Sequence, residues 1–381
     1  MNSQFDSIFE TSLSNTAPEP FWSELNTSTI IYGTGTVGKD VYRILLEKGI
    51  PILGFMDHRE REEKHIYSIP VFQPDDVLIP NEQRANVTVV IAIHNRDAKI
   101  ADIIEYLKTL GYHRVVNLVE FHHLFGAELP IRYWLTSPHF YHSRKAPIAS
   151  VYNLLSDDIS RNSYLAILRF RLTGDYSCLP APDMQHQYFP PDLPAWQTPL
   201  RLIDCGAYDG DTLSSFIKQN IPIQSVAAFE PDQENFKKLA RFAQENKKNL
   251  PESYLWPCGV SHSTEQLSFE IGQGEASSVS SIGNSIIQCV SLDEALPVFA
   301  PNLIKMDIEG AEYNALLGAH RMIATHRPGL AISVYHRPEH LWQIPLLIAQ
   351  IAQSARLNYH YGLRLHAQNG FDTIFYAIPE R

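Results

Sequence analysis

Three carboxylates surround a glycine-containing turn in the stretch LIDCGAYDGDT, residues 202–212. The aspartates are Asp204, Asp209 and Asp211, and the glycines are Gly206 and Gly210. An apolar strand that leads through such a turn into a helix is typical of a nucleotide site. Two unit charges about 5 Å apart interact by about 3 kcal/mol at an effective dielectric of 20, so these carboxylates would repel a pyrophosphate. The loop therefore favours a nucleotide that is positively charged near its reacting atom.

S-adenosylmethionine meets that requirement, because it carries a sulfonium and an α-ammonium group as well as an adenosine. Its ribose diol needs an acceptor, and Glu230 ends the next predicted strand, 24 residues after Gly206. The alternative is that the aspartates only stabilise the start of the helix, with Asp211 as its N-cap, while Glu230 is merely exposed. The charge pattern favours a site for the cationic cofactor.

Polar residues end several apolar strands in this half of the chain. They are Asp204, Glu230, Asp307 and His336. Ligands of an open parallel sheet bind along the edge that the carboxyl ends of its strands form. We therefore expect these four side chains to gather at one edge and to line the site.

Three residues near that edge are candidates for a general base: His336, Asp307 and Glu309. Methyl transfer to a hydroxyl needs an aligned acceptor, and a base within hydrogen-bond reach assists by about 10²–10⁴-fold. We favour His336 because an unperturbed imidazole titrates near neutral pH. Alternatively, His336 is structural, the three residues hold a divalent metal ion, or Glu309 and Glu312 simply begin a helix. The spacing is not diagnostic of a metal, and we expect none.

A second glycine-rich loop, IYGTGTVGK at 31–39, carries no acidic residue. Its glycines follow the dinucleotide fingerprint and are Gly33, Gly35 and Gly38. Lys39 adds a positive charge, and Asp57 ends the next strand, where it would accept from a ribose hydroxyl. The pattern predicts a second nucleotide site, for a dinucleotide or a coenzyme-A-like ligand. The alternative is a degenerate Rossmann unit used for packing or dimerisation, since no residue in this half suggests a reaction.

The elements that must position these loops form two α/β alternations. Residues 1–24 are predicted to be a loose polar arm, 25–125 a small doubly wound Rossmann-like domain, and 200–381 a second α/β domain. Residues 126–199 combine a helical segment with a run of prolines, which disfavours regular structure and predicts a connection that covers the second domain. The stretch Ser277–Ser285 is either an acceptor-binding loop or a flexible connection.

The net charge of the 381-residue chain is −11, which argues against binding to nucleic acid or to an anionic membrane surface. No apolar run approaches the ~18–20 residues that span a bilayer, and the first residues lack the pattern of a secretory signal. The four cysteines form no CxxC pair, so we expect reduced thiols. These features predict a cytoplasmic protein whose partner is a small molecule or a glycan, without nucleic acid or membrane.

Several segments of the second half resemble the FkbM-type methyltransferases, a class I family that depends on S-adenosylmethionine. The matching segments are LIDCGAYDGDT, AAFEPDQENFKKL, PCGVS, IKMDIEGAEYNALLGA and DTIFYAIP. The resemblance covers roughly residues 157–381. It implies a class I (Rossmann-like) catalytic domain that methylates a hydroxyl on a sugar, a glycan or a natural product. The first half resembles the small Rossmann-like domains found beside sugar-modifying enzymes.

The resemblance also implies which residues bind the cofactor. They are Asp204, Gly206, Ala207, Tyr208, Gly210, Glu230, Pro231, Asp232, Cys258, Gly259 and Asp307. Asp204, Gly206 and Tyr208 would line the methionine part, and Glu230 would hold the ribose. The segments that contain Asp232 and Cys258 would lie near the adenine, and Asp307 would face the methyl group.

Two other classes of protein fit part of the sequence. An NAD(P)-dependent oxidoreductase would use the loop from Gly33 to Gly38, although no hydride-site residues are evident. A non-catalytic scaffold would use both domains only to bind nucleotides. The N-terminal domain is also a candidate surface for an oligomer, and Gln187 and Tyr188, in the proline-rich segment, are expected to close over the second site.

Overall fold

The computed structural model describes residues 3–14, 28–59, 64–76, 79–129, 133–269 and 285–380. The chain divides into two compact units, each built from separate segments. Unit 1 consists of Met1–Lys145, Asn162–Pro182 and Ala367–Phe371, and unit 2 of Ala146–Arg161, Asp183–His366 and Asp372–Arg381. The predicted connecting segment 126–199 is divided between the units, because its aromatic side chains belong to their cores. Trp134 packs edge-on against Phe170 in unit 1, and Trp196 is buried in the core of unit 2.

Unit 1 contains a sheet of short, mostly parallel strands. They are β1 (Thr29–Tyr32), β2 (Ile52–Met56), β3 (His65–Ile66), β4 (Ile69–Phe72), β5 (Thr88–Ile91) and β6 (Arg114–Val116), in the order β3-β4-β2-β1-β5-β6. β3 and β4 form an antiparallel hairpin, whereas the pairs on either side of β1 are parallel. The hairpin adds to the doubly wound pattern predicted for this unit, and its strands are too short to carry a periodic pattern.

The helices of unit 1 include one that the sequence pattern did not predict. The helices are α1 (Ser3–Ser14), α2 (Thr36–Glu47), α3 (Asn81–Arg84), α4 (Ile100–Thr109), α5 (Leu118–Phe125) and α6 (Pro138–His142); α7 (Lys145–Leu154) and α8 (Asp158–Thr173) contribute residues to both units. The prediction of a loose arm was wrong for Ser3–Ser14. Phe5 and Phe9 lie one turn apart and are both buried, and the Phe9 ring packs edge-on against His142.

Unit 2 contains a larger sheet and a small one. The larger sheet has the strands β7 (Leu200–Cys205), β8 (Ile223–Phe229), β9 (Glu252–Trp256), β13 (Leu303–Met306), β14 (Gly329–Ser333), β15 (Tyr359–Leu365) and β16 (Thr373–Pro379), in the order β15-β16-β14-β13-β7-β8-β9. The small sheet has β10 (Gly259–Val260), β11 (Glu265–Phe269) and β12 (Ser285–Val290). β16 runs antiparallel to both of its neighbours, and the five strands from β14 to β9 are parallel.

This strand order fixes where a ligand can bind in unit 2. The chain starts in the middle of the sheet at β7, moves outwards through β8 and β9, and returns to the other side of β7 at β13. The helices of this unit are α9 (Asp211–Lys218), α10 (Gln233–Glu245), α11 (Leu292–Ala295), α12 (Glu312–Leu317), α13 (His320–His326) and α14 (His340–Ala355). The carboxyl ends of β7 and β13 form the topological switch point, where an open α/β sheet binds its ligands. Apart from Ser285, the stretch Ser277–Ser285 lies outside the described residues.

Candidate active site

The turn after β7 requires glycine at its first position. Gly206 has a φ of +78°, and a Cβ on it would lie 1.9 Å from the carbonyl oxygen of Asp307. The backbone N–H groups of Gly206 and Ala207 donate to the carbonyl oxygen of Phe229 at 3.0 and 3.1 Å. The ends of β7, β8 and β13 therefore meet at this turn, as expected for the three strands of a switch point.

Glu230 follows β8 directly and is fixed by two backbone groups. Its carboxylate accepts hydrogen bonds from the N–H groups of Tyr208 at 2.9 Å and Asp232 at 2.8 Å. Tyr208 has a φ of +48°, so Glu230 stabilises an unusual backbone conformation in the glycine loop. A carboxylate has about four acceptor positions, which leaves about two for the hydroxyls of a ribose. Burial raises the pKa of Glu230 to about 7.

The two helices that begin at this edge have different N-caps. Gly210, with a φ of +95°, precedes α9, so Asp211 is the first helical residue and the suggestion that it is the N-cap was wrong. Asp232 caps α10, because its carboxylate accepts from the N–H groups of Glu234 at 2.9 Å and Asn235 at 3.0 Å. This cap accounts for Asp232 structurally, and its role beside an adenine, like that of the preceding Pro231, stays a prediction.

Cys258 and Gly259 lie where the chain passes from β9 to β10. The N–H of Glu230 donates to the carbonyl oxygen of Trp256 at 3.1 Å. This hydrogen bond brings the segment alongside Glu230, the candidate acceptor for the ribose hydroxyls. A Cβ on Gly259 would lie 2.9 Å from the Sγ of Cys289. All four cysteines are free thiols, and burial raises the pKa of Cys258 to about 11. This raised pKa favours the protonated thiol at neutral pH.

Asp204 is the penultimate residue of β7, and its side chain is completely buried. Its Oδ1 lies 3.0 Å from the Nζ of Lys305, which is 2% exposed. Burial raises the pKa of Asp204 to about 6, although the Lys305 ammonium opposes the rise. The sequence analysis missed Lys305, although a lysine inside the apolar strand LIKMD was a signal that a buried anion lies beside it. Part of the negative charge predicted for the loop is thus neutralised inside the protein.

The candidate bases gather at the ends of β13 and β14. Oδ1 of Asp307 accepts from the Ser333 hydroxyl at 2.8 Å and lies 3.4 Å from Nε2 of His336. The same Nε2 lies 3.5 Å from Oε2 of Glu309. On the other side of the ring, Nδ1 of His336 lies 2.7 Å from Oε1 of Glu312. His336 and Glu312 are fully buried, whereas the Asp307 and Glu309 side chains are 24% and 22% exposed.

Burial and charge shift the pKa values within this cluster in different directions. Burial alone would lower the pKa of His336, but the charges of Glu312 and Glu309 outweigh it and raise the pKa to about 10. Burial raises the pKa of Glu309 to about 8, although His336 opposes the rise. Burial would also raise the pKa of Glu312, but the His336 charge and hydrogen bond hold that pKa well below its usual range. An imidazolium cannot accept a proton, so the reason for favouring His336 as the base was wrong.

The cluster also brings possible metal ligands together. Atoms of Asp307, Glu312 and His336 all lie within 4.8 Å of one another, and carboxylate with imidazole suits several divalent ions. The 2.7 Å contact between His336 and Glu312 is a direct hydrogen bond, however, and two ligands of one ion with bonds of about 2.1 Å lie further apart than that. The expectation that no metal binds to this cluster stays a prediction.

Tyr188 brings the proline-rich segment into the site. Its hydroxyl donates to Oδ2 of Asp307 at 3.3 Å, and the Gln187 side-chain amide donates to the same hydroxyl oxygen at 3.2 Å. Tyr188 has a φ of +72° and is held there by two bonds: its N–H donates to the Tyr376 hydroxyl, and the Trp196 indole N–H donates to its carbonyl oxygen. A strained tyrosine that is over-determined by its neighbours is a common feature of functional sites.

In unit 1, the three glycines of the first loop have the geometry of the dinucleotide fingerprint. A Cβ on Gly33 would lie 2.8 Å from the carbonyl oxygen of Ala92, and one on Gly38 would lie 2.0 Å from that of Gly33. No atom of the described structure lies within 4 Å of a Cβ on Gly35, where the backbone would approach a pyrophosphate. Asp57 follows β2 and accepts from the Thr34 hydroxyl at 2.6 Å. Nucleotide binding by this unit stays a prediction.

A comparison with known families identifies the larger unit. The family description of the methyltransferase FkbM domain matches residues 204–364. This segment contains the glycine loop, Glu230 and the acid–base cluster, which is formed by Asp307, Glu309, Glu312 and His336. Residues 204–364 form a methyltransferase FkbM domain. This family and its fold imply S-adenosylmethionine as the methyl donor of the domain. No curated protein matches the chain.

Solved structures extend the comparison to the fold of the whole chain. The chain is similar to the crystal structure of methyltransferase FkbM from Methylobacillus flagellatus KT, with 23% identity, a TM-score of 0.79, and coverage of 98% of this chain and 99% of that chain. This likeness confirms the predicted fold class, a class I (Rossmann-like) methyltransferase domain preceded by a smaller doubly wound Rossmann-like domain.

Two further structures are similar only in part. An rRNA methylase from Streptococcus thermophilus has 13% identity and a TM-score of 0.30, and it covers 47% of this chain and 86% of that chain. Aeropyrum pernix fibrillarin, with S-adenosylmethionine bound, has 10% identity and a TM-score of 0.29, and it covers 47% of this chain and 66% of that chain. These scores are too low to support an argument about the FkbM domain. Within the described residues, no helix has both the length and the apolar character needed to cross a membrane.

Proposed function

We propose that the FkbM domain uses S-adenosylmethionine to methylate a hydroxyl group of a small molecule or a glycan. This proposal rests on two features that lie at the same edge of the sheet. Glu230 is a candidate acceptor for the ribose hydroxyls, and the acid–base cluster contains Asp307. The tight turn at Gly206 joins them, since its missing Cβ lets the loop lie directly against Asp307. Transfer to a hydroxyl releases a proton, and this cluster can take it up.

The residues of the site fit the cofactor. Glu230 has about two acceptor positions left for the ribose hydroxyls after binding the N–H groups of Tyr208 and Asp232. The backbone of the Gly206 loop would hold the methionine part, and Asp307 adds a negative charge that favours a cationic ligand. When bound, the cofactor supplies a methyl group on a positively charged sulfur, which a correctly aligned oxygen can displace.

Glu309 is the base in this proposal. Three hydroxyl groups surround the Asp307 carboxylate, those of Ser333 at 2.8 Å, Tyr188 at 3.3 Å and Tyr335 at 3.5 Å, and they occupy most of its acceptor positions. Glu309 instead has a pKa raised to about 8 by burial, which makes it a stronger base, and its side chain is 22% exposed. The His336 imidazolium lies beside both carboxylates and orients them.

Ligand titration tests the proposed cofactor. By isothermal titration calorimetry, we expect binding of S-adenosylmethionine and S-adenosylhomocysteine to the wild-type protein. The Glu230→Ala variant should bind S-adenosylmethionine about 10–100-fold more weakly, because it loses the ribose contacts and the support of Tyr208. Glu234→Ala is the matched control, because that side chain is 75% exposed.

The same titration separates the alternatives. Binding of NAD without S-adenosylmethionine would contradict the proposal and favour an oxidoreductase that uses Gly33–Gly38. Binding of neither ligand would favour a non-catalytic scaffold. Binding of both would add a nucleotide site in unit 1 without changing the proposed reaction. Methyl transfer onto sugar nucleotides and glycans should then be screened, because methylation of an acceptor hydroxyl, which yields a methyl ether, is the second half of the proposal.

A further inference from the structure

Lys305 is a buried ammonium in the middle of the largest sheet. It lies in β13 between Ile304 and Met306, which are both completely buried, and it is itself 2% exposed. An ammonium group away from water is stable only when charges and hydrogen bonds compensate it. The partners of Lys305 therefore indicate what it does.

The partners of Lys305 lie at the end of β7, in the Gly206 turn and in the proline-rich segment. Asp204 stands opposite Lys305 in the β7–β13 register, and its Oδ1 lies 3.0 Å from Nζ. Nζ also donates to the carbonyl oxygen of Gly206 at 2.6 Å and lies 5.7 Å from the centre of the Tyr188 ring. These contacts reach from the strand into the loop and across to the proline-rich segment.

Asp204 is an unusual side chain for a direct cofactor ligand. It is 0% exposed, and its Oδ1 lies within hydrogen-bond distance of the Lys305 ammonium, 3.0 Å from Nζ. The Lys305 ammonium is the cation that balances its charge. Gly206, two residues later, is held on both sides, since its N–H donates to Phe229 and its carbonyl accepts from Lys305.

We propose that Lys305 and Asp204 form a positioning pair that sets the conformation of the cofactor loop, and that Asp204 does not touch the cofactor. The pair fixes the carbonyl of Gly206, and thereby the direction in which the following backbone runs towards Tyr208 and Glu230. This inference rests on the proposed function, because it assumes that the loop binds S-adenosylmethionine. It replaces the direct contact that the family resemblance implies for Asp204.

Neutralising one partner or both partners tests the pair. Asp204→Asn leaves an unpaired buried ammonium and Lys305→Gln an unpaired buried carboxylate, so each variant should bind S-adenosylmethionine about 100-fold more weakly and unfold at a lower temperature. The double variant has neither charge and keeps an amide donor near Gly206. It should bind at least about tenfold more tightly than either single variant and unfold at a higher temperature than both. Lys218→Gln, an exposed position in α9, is the control.

The outcomes distinguish this inference from the proposed function. A wild-type protein that does not bind S-adenosylmethionine refutes the proposed function. If the wild type binds but the double variant binds no more tightly than Asp204→Asn, Asp204 is a direct ligand and the pair is refuted. A double variant that unfolds at no higher temperature than the single variants also contradicts the proposed positioning pair. So does a Lys305→Gln variant that binds S-adenosylmethionine with wild-type affinity.

Discussion

Replacing Glu309 by glutamine is expected to lower the turnover number of methyl transfer by about 10²–10⁴-fold, because the acceptor hydroxyl loses its base. Glutamine has nearly the same shape but cannot take up a proton. The affinity for S-adenosylmethionine should change little, since Glu309 has no part in the ribose contacts proposed for Glu230. Steady-state kinetics with the identified acceptor, together with calorimetry of cofactor binding, measure the two effects separately.

The pH profile identifies which group accepts the proton. Burial raises the pKa of Glu309 to about 8, so kcat/KM of the wild type should rise with pH and level off above about that value. The rise should disappear in Glu309→Gln and persist in Glu252→Gln, a control at an exposed position of β9. A rise that persists in Glu309→Gln but disappears in Asp307→Asn would assign the base to Asp307 instead.

Replacing Glu312 by glutamine is expected to reduce the free energy of unfolding by about 3–5 kcal/mol, because it leaves the buried His336 imidazolium without its closest anion. The Glu312 carboxylate lies 2.7 Å from Nδ1 of His336 and 3.2 Å from Nδ1 of His340. It also accepts from the N–H of Ile308 at 2.9 Å, which holds the turn that carries Glu309. Urea unfolding at neutral pH, with linear extrapolation to water, measures the loss.

The pH dependence of that loss has a definite sign. The pKa of His336 is raised to about 10, so its contribution to stability is complete below about pH 6.5 and disappears as the pH rises through 10. The pKa of Glu312 is lowered, so its contribution is present above about pH 4.5 and disappears as the pH falls. The difference between wild type and Glu312→Gln should therefore be largest near neutral pH and shrink towards pH 10. A difference that does not vary with pH would mean that the pair is not ionic.

The sequence predicted which edge of the sheet carries the site, but it did not predict the contacts between the side chains of the site. Glu230, Asp307 and His336 could be assigned to one edge, because strand ends in a parallel sheet meet wherever the topology is doubly wound. The shifted pKa of His336 could not be foreseen, since it depends on Glu312, which was interpreted only as the start of a helix. Lys305 was missed for the same reason, because its partner Asp204 lies about a hundred residues earlier in the chain.

The same limit applies to the fold. Long strands such as β7 and β8 carry an apolar pattern of their own, and the sequence predicted them. The short hairpin of β3 and β4, the helix α1 and the sharing of 126–199 between two cores depend on packing partners that no local pattern identifies. The left-handed backbone of Tyr188 is a further case, since one of the two residues that maintain it is Tyr376, 188 residues later in the chain.

The position of β16 determines when the larger sheet can assemble. Among the strands that the structure describes, β15 pairs with β16 alone, and β16 lies between it and β14. β15 precedes β16 in the chain, so during folding it cannot join the sheet until Thr373–Pro379 has paired with β14. The edge of β14 remains unpaired for the same interval, and an unpaired strand edge can exchange strands with a neighbouring chain.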